Sequence, residues 1–236
     1  MAPNLTTYRP LLARRVRGPA IAVILLAISV IVVSGTRYAD QDMPGRLDRG
    51  LDTLIRNHVP RDLPIVQILV DLGDPAPALL LILAVAGAAA AARRWSGVLL
   101  TIVGTMTAVT ITEFILKPLI GRLRFGNLSF PSGHTTAVAA VAIAAAILIG
   151  GAGRPRSLAL RMFAVAAAVA LAVGVAISLV ALHIHYATDT IAGYCVAMAT
   201  VTTVALGIDY YCGSRLRHRA LRPRIESAGG RGRPRG

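Results

Sequence analysis

The chain has 236 residues, of which 55% are hydrophobic and only 15% charged, with a mean hydropathy of +0.65. That balance excludes an ordinary soluble domain and makes the chain an integral membrane protein. The formal charge of +14, which in a soluble protein would suggest a nucleic-acid partner, is here a matter of placement along the chain, and placement reads as topology.

Residues 1–17 are polar and carry four arginines, and an unbroken apolar run follows at 20–33. The pair resembles the opening of a signal peptide. The residues that follow, Ser34, Gly35, Thr36 and Arg37, lack a small-x-small cleavage site, so the run reads as an uncleaved first span. Segment 35–74 holds five arginines and seven aspartates, with Leu47, Leu51, Leu54 and Ile55 at helical spacing, which predicts an amphipathic helix lying at the membrane interface. Gly73, Asp74 and Pro75 break the chain before a second span at 76–92, bounded by Arg93 and Arg94. A third span, 96–115, ends at Lys117 and Pro118.

A fourth span at 135–149 is closed by Gly150, Gly151 and Gly153 and by Arg154, Arg156 and Arg161; a fifth follows at 162–181 and a sixth at 190–208. The expected fold class is therefore all-α, a polytopic bundle of six transmembrane helices forming one domain over residues 1–213. The Arg/Gly/Pro-rich stretch 214–236 has almost no apolar content and reads as a disordered tail, whose partner is anionic inner-leaflet lipid rather than nucleic acid. Cys195 and Cys212 are separated by roughly 25 Å on one straight helix, too far to bridge, and form no zinc-like cluster; packing accounts for them.

Lys and Arg concentrate on the cytoplasmic side of short loops. Segments on the side of the termini hold 17 basic residues and the opposite set holds 8, the latter offset by the seven aspartates of 35–74. Both termini are thus expected inside the cell membrane, and the loops 117–134 and 183–189 outside. Cleavage of the first span would leave those loops on the same face.

The chemistry concentrates in these two loops. Ser129, Phe130, Pro131, Ser132, Gly133 and His134 are poor helix material but suit an anion site: glycine lets backbone amides approach a ligand, and Ser132 and His134 add hydrogen bonds. Lys117 is the single lysine among 24 arginines; its compact ammonium suits a phosphate oxygen, or it snorkels at a helix end. Arg122 and Arg124 offer forks for phosphate or for lipid headgroups. Glu113, four residues before Lys117, shares its helix face. His134 reads as a general acid or as a structural histidine. His185 and Asp189 are one helical turn apart, so the carboxylate can orient the imidazole for attack; Asp189 also suits a helix N-cap. Two histidines, an acid and a cationic pocket fit phosphoryl transfer through a phosphohistidine better than they fit two-metal hydrolysis, for which carboxylates are too few.

In these residues the sequence resembles the phosphatidic acid phosphatase type 2 superfamily, which also includes vanadium haloperoxidases and glucose-6-phosphatases. Lys117 and Arg124 match the family's first motif, with Phe125 where proline is usual. Pro131, Ser132, Gly133 and His134 match the second without change, and Ser178, His185 and Asp189 match the third, with Leu179 where arginine is usual. The resemblance covers spans three to six. It implies a six-helix core, no metal and no cofactor, His185 as nucleophile, Asp189 as its orienting partner and His134 as the acid that protonates the leaving oxygen. Lys117, Arg124, Ser132 and the Gly133 amide would hold the phosphoryl oxygens.

The loss of a guanidinium at position 179 removes a donor worth several kcal/mol, or roughly a hundredfold in rate. Arg122 and His183 are the candidate substitutes, and Leu179→Arg is expected to raise turnover if the pocket is otherwise intact. The implied activity is hydrolysis of a lipid phosphate or diphosphate, such as a polyprenyl diphosphate or phosphatidate, at the outer face. The alternative is a degenerate relative that binds or translocates phospholipid.

Overall fold

The computed structural model describes residues 10–151 and 157–229, with side chains as far as Ser214. After one tight turn at Arg14–Val16 the chain enters helix α1, Arg17–Tyr38. Helices α2 (Arg46–His58) and α3 (Pro64–Asp71) follow, then α4 (Pro75–Ala91) and α5 (Trp95–Thr110). A π-helical turn, Ile111–Leu116, joins α5 to the short α6, Lys117–Ile120. Strands β1 (Leu123–Arg124) and β2 (Asn127–Leu128) form an antiparallel hairpin. The long helices α7 (Gly133–Gly151), α8 (Leu158–Ala181) and α9 (Ala187–Gly229) complete the described chain.

Hydropathy reads the spans because a helix in lipid must satisfy its backbone internally and cover itself with apolar side chains. Among the described residues, five helical segments are long and apolar enough to cross a membrane: Arg14–Tyr38, Trp95–Ile120, Gly133–Gly151, Leu158–Ala181 and Ala187–Ser214. The pair α3 and α4, bent by 73°, makes a sixth if counted as one span. The core lies where α5, α7 and α9 meet. Leu100, Ala139, Ala140, Ala144, Ala197 and Val201 are buried there, and the small residues let the backbones approach closely. The backbone of α9 is helical to Gly229, through most of the expected polar tail; residues 230–236 lie outside the described residues. Both cysteines are unbridged.

Two local expectations change. The third span does not stop at residue 115 but continues to Ile120 through the π turn, so Lys117 is helical. The turn at 129–134 ends as a helix start. Gly133 and His134 open α7, and Ser132 sits before it with its Oγ accepting the Thr135 amide at 3.4 Å, the bond that serine is favoured to make at this position. The predicted amphipathic helix exists as α2, with its leucine face uncovered and its acidic face packed on the protein. Asp48 and Asp52 are buried, whereas Leu47 and Leu54 are 65% and 57% exposed. The hairpin, with two residues per strand, is too short to leave a periodic signal.

All the loops that hold the motif residues collect at one end of the bundle. At the other end Asp209 of α9 accepts the amides of Leu11 and Leu12 at 2.8 and 2.9 Å and lies 3.5 Å from Arg17, while Arg94 donates to the Leu148 carbonyl. Polar contacts thus tie the bundle at both ends and leave its middle apolar.

Candidate active site

A cavity of about 470 Å³ opens at the motif end, lined by Lys117, Arg124, Phe125, Asn127, Leu128, Ser129, His134, Leu182, His183, Ile184 and His185. A larger one of about 630 Å³ lies in the opposite half, between α1, α7, α8 and α9, and its lining holds no His, Lys, Asp, Glu or Cys. The residues that the motifs single out therefore gather at the smaller cavity.

The π turn sets its first wall. Inserting one residue into an α-helix re-aims the side chains beyond it, and here Lys117 emerges into the cavity with its Nζ 2.8 Å from Glu113 Oε2. The other carboxylate oxygen of Glu113 reaches the start of α7, where a β-carbon on Gly133 would lie 2.0 Å from it. No other residue fits at position 133 without moving the carboxylate. Glu113 thus holds Lys117 beside the N-terminus of α7, a pole that attracts anions.

His134, on the first turn of α7, has its Nε2 3.0 Å from Asp74 Oδ1, at the bend between α3 and α4. Its ring centroid is 6.3 Å from that of His185, near edge-on. The loop after α8 carries His185, and its form follows from how α8 ends. The His183 amide donates to the Val180 carbonyl and the Ile184 amide to the Leu179 carbonyl, with His183 at φ +60°: a left-handed helix terminator with histidine where glycine is usual. The His185 amide shares the Leu179 carbonyl at 3.3 Å, so the backbone of residue 179 positions the imidazole. The Leu179 side chain points elsewhere, into an apolar cluster with Val70, Val138 and Val175. A guanidinium there would be buried among valines, so Leu179→Arg is a destabilising change and the expected gain in turnover is withdrawn.

Asp189, on the first turn of α9, is fully buried. Its Oδ2 accepts the Tyr186 amide at 3.1 Å and lies 3.5 Å from His185 Nδ1, a ring nitrogen that makes no hydrogen bond. Its Oδ1 accepts Arg122 Nη1 at 2.6 Å. The same Nη1 donates to Thr188 Oγ1 at 2.7 Å, and Arg122 Nη2 donates to Asp48 Oδ2 at 2.6 Å. Asp48 also accepts the Thr188 amide and hydroxyl, and Asp52 accepts the Ala187 amide. The guanidinium of Arg122 lies over the rings of Tyr38 and Tyr186 at 4.3 and 4.4 Å, an enclosed cation–π arrangement. Burial pushes the Asp48 carboxyl up, but its bonds from Thr188 and Arg122 outweigh that and hold it below the usual carboxylate range. For Asp52 burial wins over the Ala187 amide and Arg56, and its carboxyl is raised.

Arg124 is arranged differently. Its Nε donates to the His183 carbonyl at 2.9 Å, its guanidinium lies 4.0 Å over Tyr186, and its Nη1 is buried without a partner. It lines the cavity with a donor to spare.

The structure therefore brings Lys117, Arg124, His134, His183 and His185 to one cavity, with Asp189 behind His185. It does not bring Arg122, Ser132 or Ser178 to the cavity wall; all three are buried. Arg122 is committed to Asp48 and Asp189, so it is no substitute for the absent arginine. Ser132 joins the two motif regions instead, its amide donating to the Asp189 carbonyl at 3.0 Å. His183 lines the wall, but burial and then Arg56, Arg124 and Arg61 lower its pKa from the usual 6.5, so at neutral pH it adds no charge. Asp48, Asp52 and Asp74 were missed as site residues. Their only sequence signal was an excess of aspartate in 35–74, which reads equally as a solvated segment.

Residues 121–211 match the family model of the PAP2 superfamily. The fold is similar to the crystal structure of the first transmembrane PAP2-type phosphatidylglycerolphosphate phosphatase from Bacillus subtilis. The TM-score is 0.59 at 23% identity, over 81% of this chain and 96% of that one. No curated protein matches. The matched segment runs from the hairpin through the His134 and His185 loops into α9, so the stretch that builds most of the cavity is the one that matches this family model, set in a helical membrane protein.

Proposed function

We propose that the protein is a membrane phosphatase that hydrolyses the phosphate or diphosphate of an amphiphilic lipid. The observation that carries this is the pairing of two imidazoles, 6.3 Å apart, in a cavity whose cations are Lys117 and Arg124. In the first step His185 Nε2 attacks phosphorus while the bond to the leaving oxygen breaks, and His134 gives that oxygen a proton. The positive charge gained by the His185 ring is met by Asp189 through Nδ1. In the second step His134 takes a proton from water as the water oxygen attacks the phosphohistidine, and phosphate leaves. Lys117, the Arg124 guanidinium and the Gly133 amide receive the phosphoryl oxygens.

The family segment supports phosphatase chemistry, and the apolar bundle supports a substrate whose tail stays in lipid. The similar solved structure is a phosphatidylglycerolphosphate phosphatase, which makes glycerolipid phosphates the first substrates to test, with polyprenyl diphosphates next. The basic residues at the end opposite the cavity support an extracytoplasmic site in the cell membrane.

Purified protein is expected to release phosphate from a short-chain phosphatidate or phosphatidylglycerolphosphate, and His185→Ala to reduce that release to background. Equal background release by both proteins, with lipid still bound, would establish the degenerate, lipid-binding reading that the absent arginine at position 179 otherwise favours.

A further inference from the structure

The rim of the cavity carries one conformation that its sequence does not favour. Arg124 pairs with Asn127 across the hairpin, leaving Phe125 and Gly126 as a two-residue turn, with φ of +48° and +79°. Two positive φ values are the mark of a type I′ turn, where asparagine and glycine are the favoured pair. Gly126 is at ease there. Phenylalanine is not, because its β-carbon crowds the backbone in the left-handed region. Proline, which the family resemblance places at this position, cannot adopt a positive φ at all.

The strained residue is also the most exposed large apolar side chain described, at 82%. It lines the cavity together with Leu128, Leu182 and Ile184, and its ring lies 5.4 Å from the guanidinium carbon of Arg124. A bulky ring left uncovered by the protein at a cost in backbone energy, beside a phosphate-binding cation, needs a reason that packing within the chain does not supply. The cavity has cations deep inside and apolar residues at its mouth.

We infer that the hairpin tip, through Phe125, is a specificity element that grips the hydrocarbon chain of the substrate next to its phosphate. This rests on the phosphatase reading for the headgroup end and adds what selects the tail. A phosphate held by Arg124 leaves its ester chain passing the Phe125 ring toward Leu128 and Ile184. The ring gains contact with the chain only when there is one.

The test uses Phe125→Asn, which keeps the turn, since Asn-Gly is the preferred pair, and removes the ring. Dodecyl phosphate in mixed micelles and glycerol phosphate in solution are compared as substrates. The variant is expected to lose about tenfold in kcat/KM for dodecyl phosphate, the worth of about two buried methylenes, chiefly through KM, with glycerol phosphate unchanged. Equal loss on both, or loss on neither, would overturn the inference. Hydrolysis of neither substrate by the unaltered protein would remove the phosphatase reading. The chain guide is then decided by binding: an advantage of dodecylphosphonate over methylphosphonate that shrinks about tenfold in Phe125→Asn supports it, and no change in that advantage overturns it.

Discussion

The ionic cluster behind His185 and the cavity in front of it use the same residue types to opposite ends. Behind, Arg122, Asp48, Asp189 and Thr188 are buried and bonded to one another. In front, Lys117 and Arg124 face open space, and Arg124 keeps a buried donor without a partner. Two arginines two residues apart thus hold different offices. What separates them is placement: Arg122, its two terminal nitrogens tied to Asp48, Asp189 and Thr188, is sealed off from the cavity and fixes geometry, whereas Arg124 lines the cavity, where a ligand can reach it.

That contrast is sharpest in the two arginine variants. Arg122→Ala leaves two buried carboxylates facing each other without their shared cation and should cost about 3–5 kcal/mol, read as a fall in denaturation midpoint of the detergent-purified protein. Leu179→Arg, which forces charge into the valine cluster, should lower that midpoint too, by a somewhat smaller margin because a long arginine can reach toward water. Arg124→Ala removes the bond to the His183 carbonyl and the contact with Tyr186 but leaves no ion-paired carboxylate behind, so it should lower the midpoint less than Arg122→Ala while lowering kcat/KM roughly a hundredfold. The distinction between the regions fails if Arg124→Ala unfolds the protein and Arg122→Ala does not.

The smallest effect is on pH dependence, and its sign follows from the two carboxylates of α2. Asp48, lowered from 3.8, gives stability that is present above that value and lost as pH falls through its folded pKa. Asp52, raised from 3.8, favours the fold fully below that value and loses this contribution as pH rises through its folded pKa. Asp52→Asn should therefore raise stability near neutral pH, while Asp48→Asn should flatten the fall at the acid end; unfolding curves taken from about pH 3 to pH 7 check both.

Much of this architecture was legible in the chain. The spans follow from apolar runs, and the two loops with their histidines follow from spacing and order. The roles of Arg122 and Arg124 were not legible, since both read as forks two residues apart and only the fold shows which one meets Asp48. That partner is 74 residues away, on a helix whose leucine periodicity marks its uncovered face and says nothing of what the opposite face meets. The π turn left no signal because its residues are as apolar as the helix it interrupts. Asp74 was taken as part of a chain break, and only the 73° bend of α3 against α4 brings it to His134.

Helix α2 has one more consequence. Its leucines face outward while its carboxylate reaches Arg122, and Arg122 in turn grips Asp189. Whatever surrounds that outer face therefore bears on Asp189, and through it on the neighbouring His185, by way of one helix and two side chains.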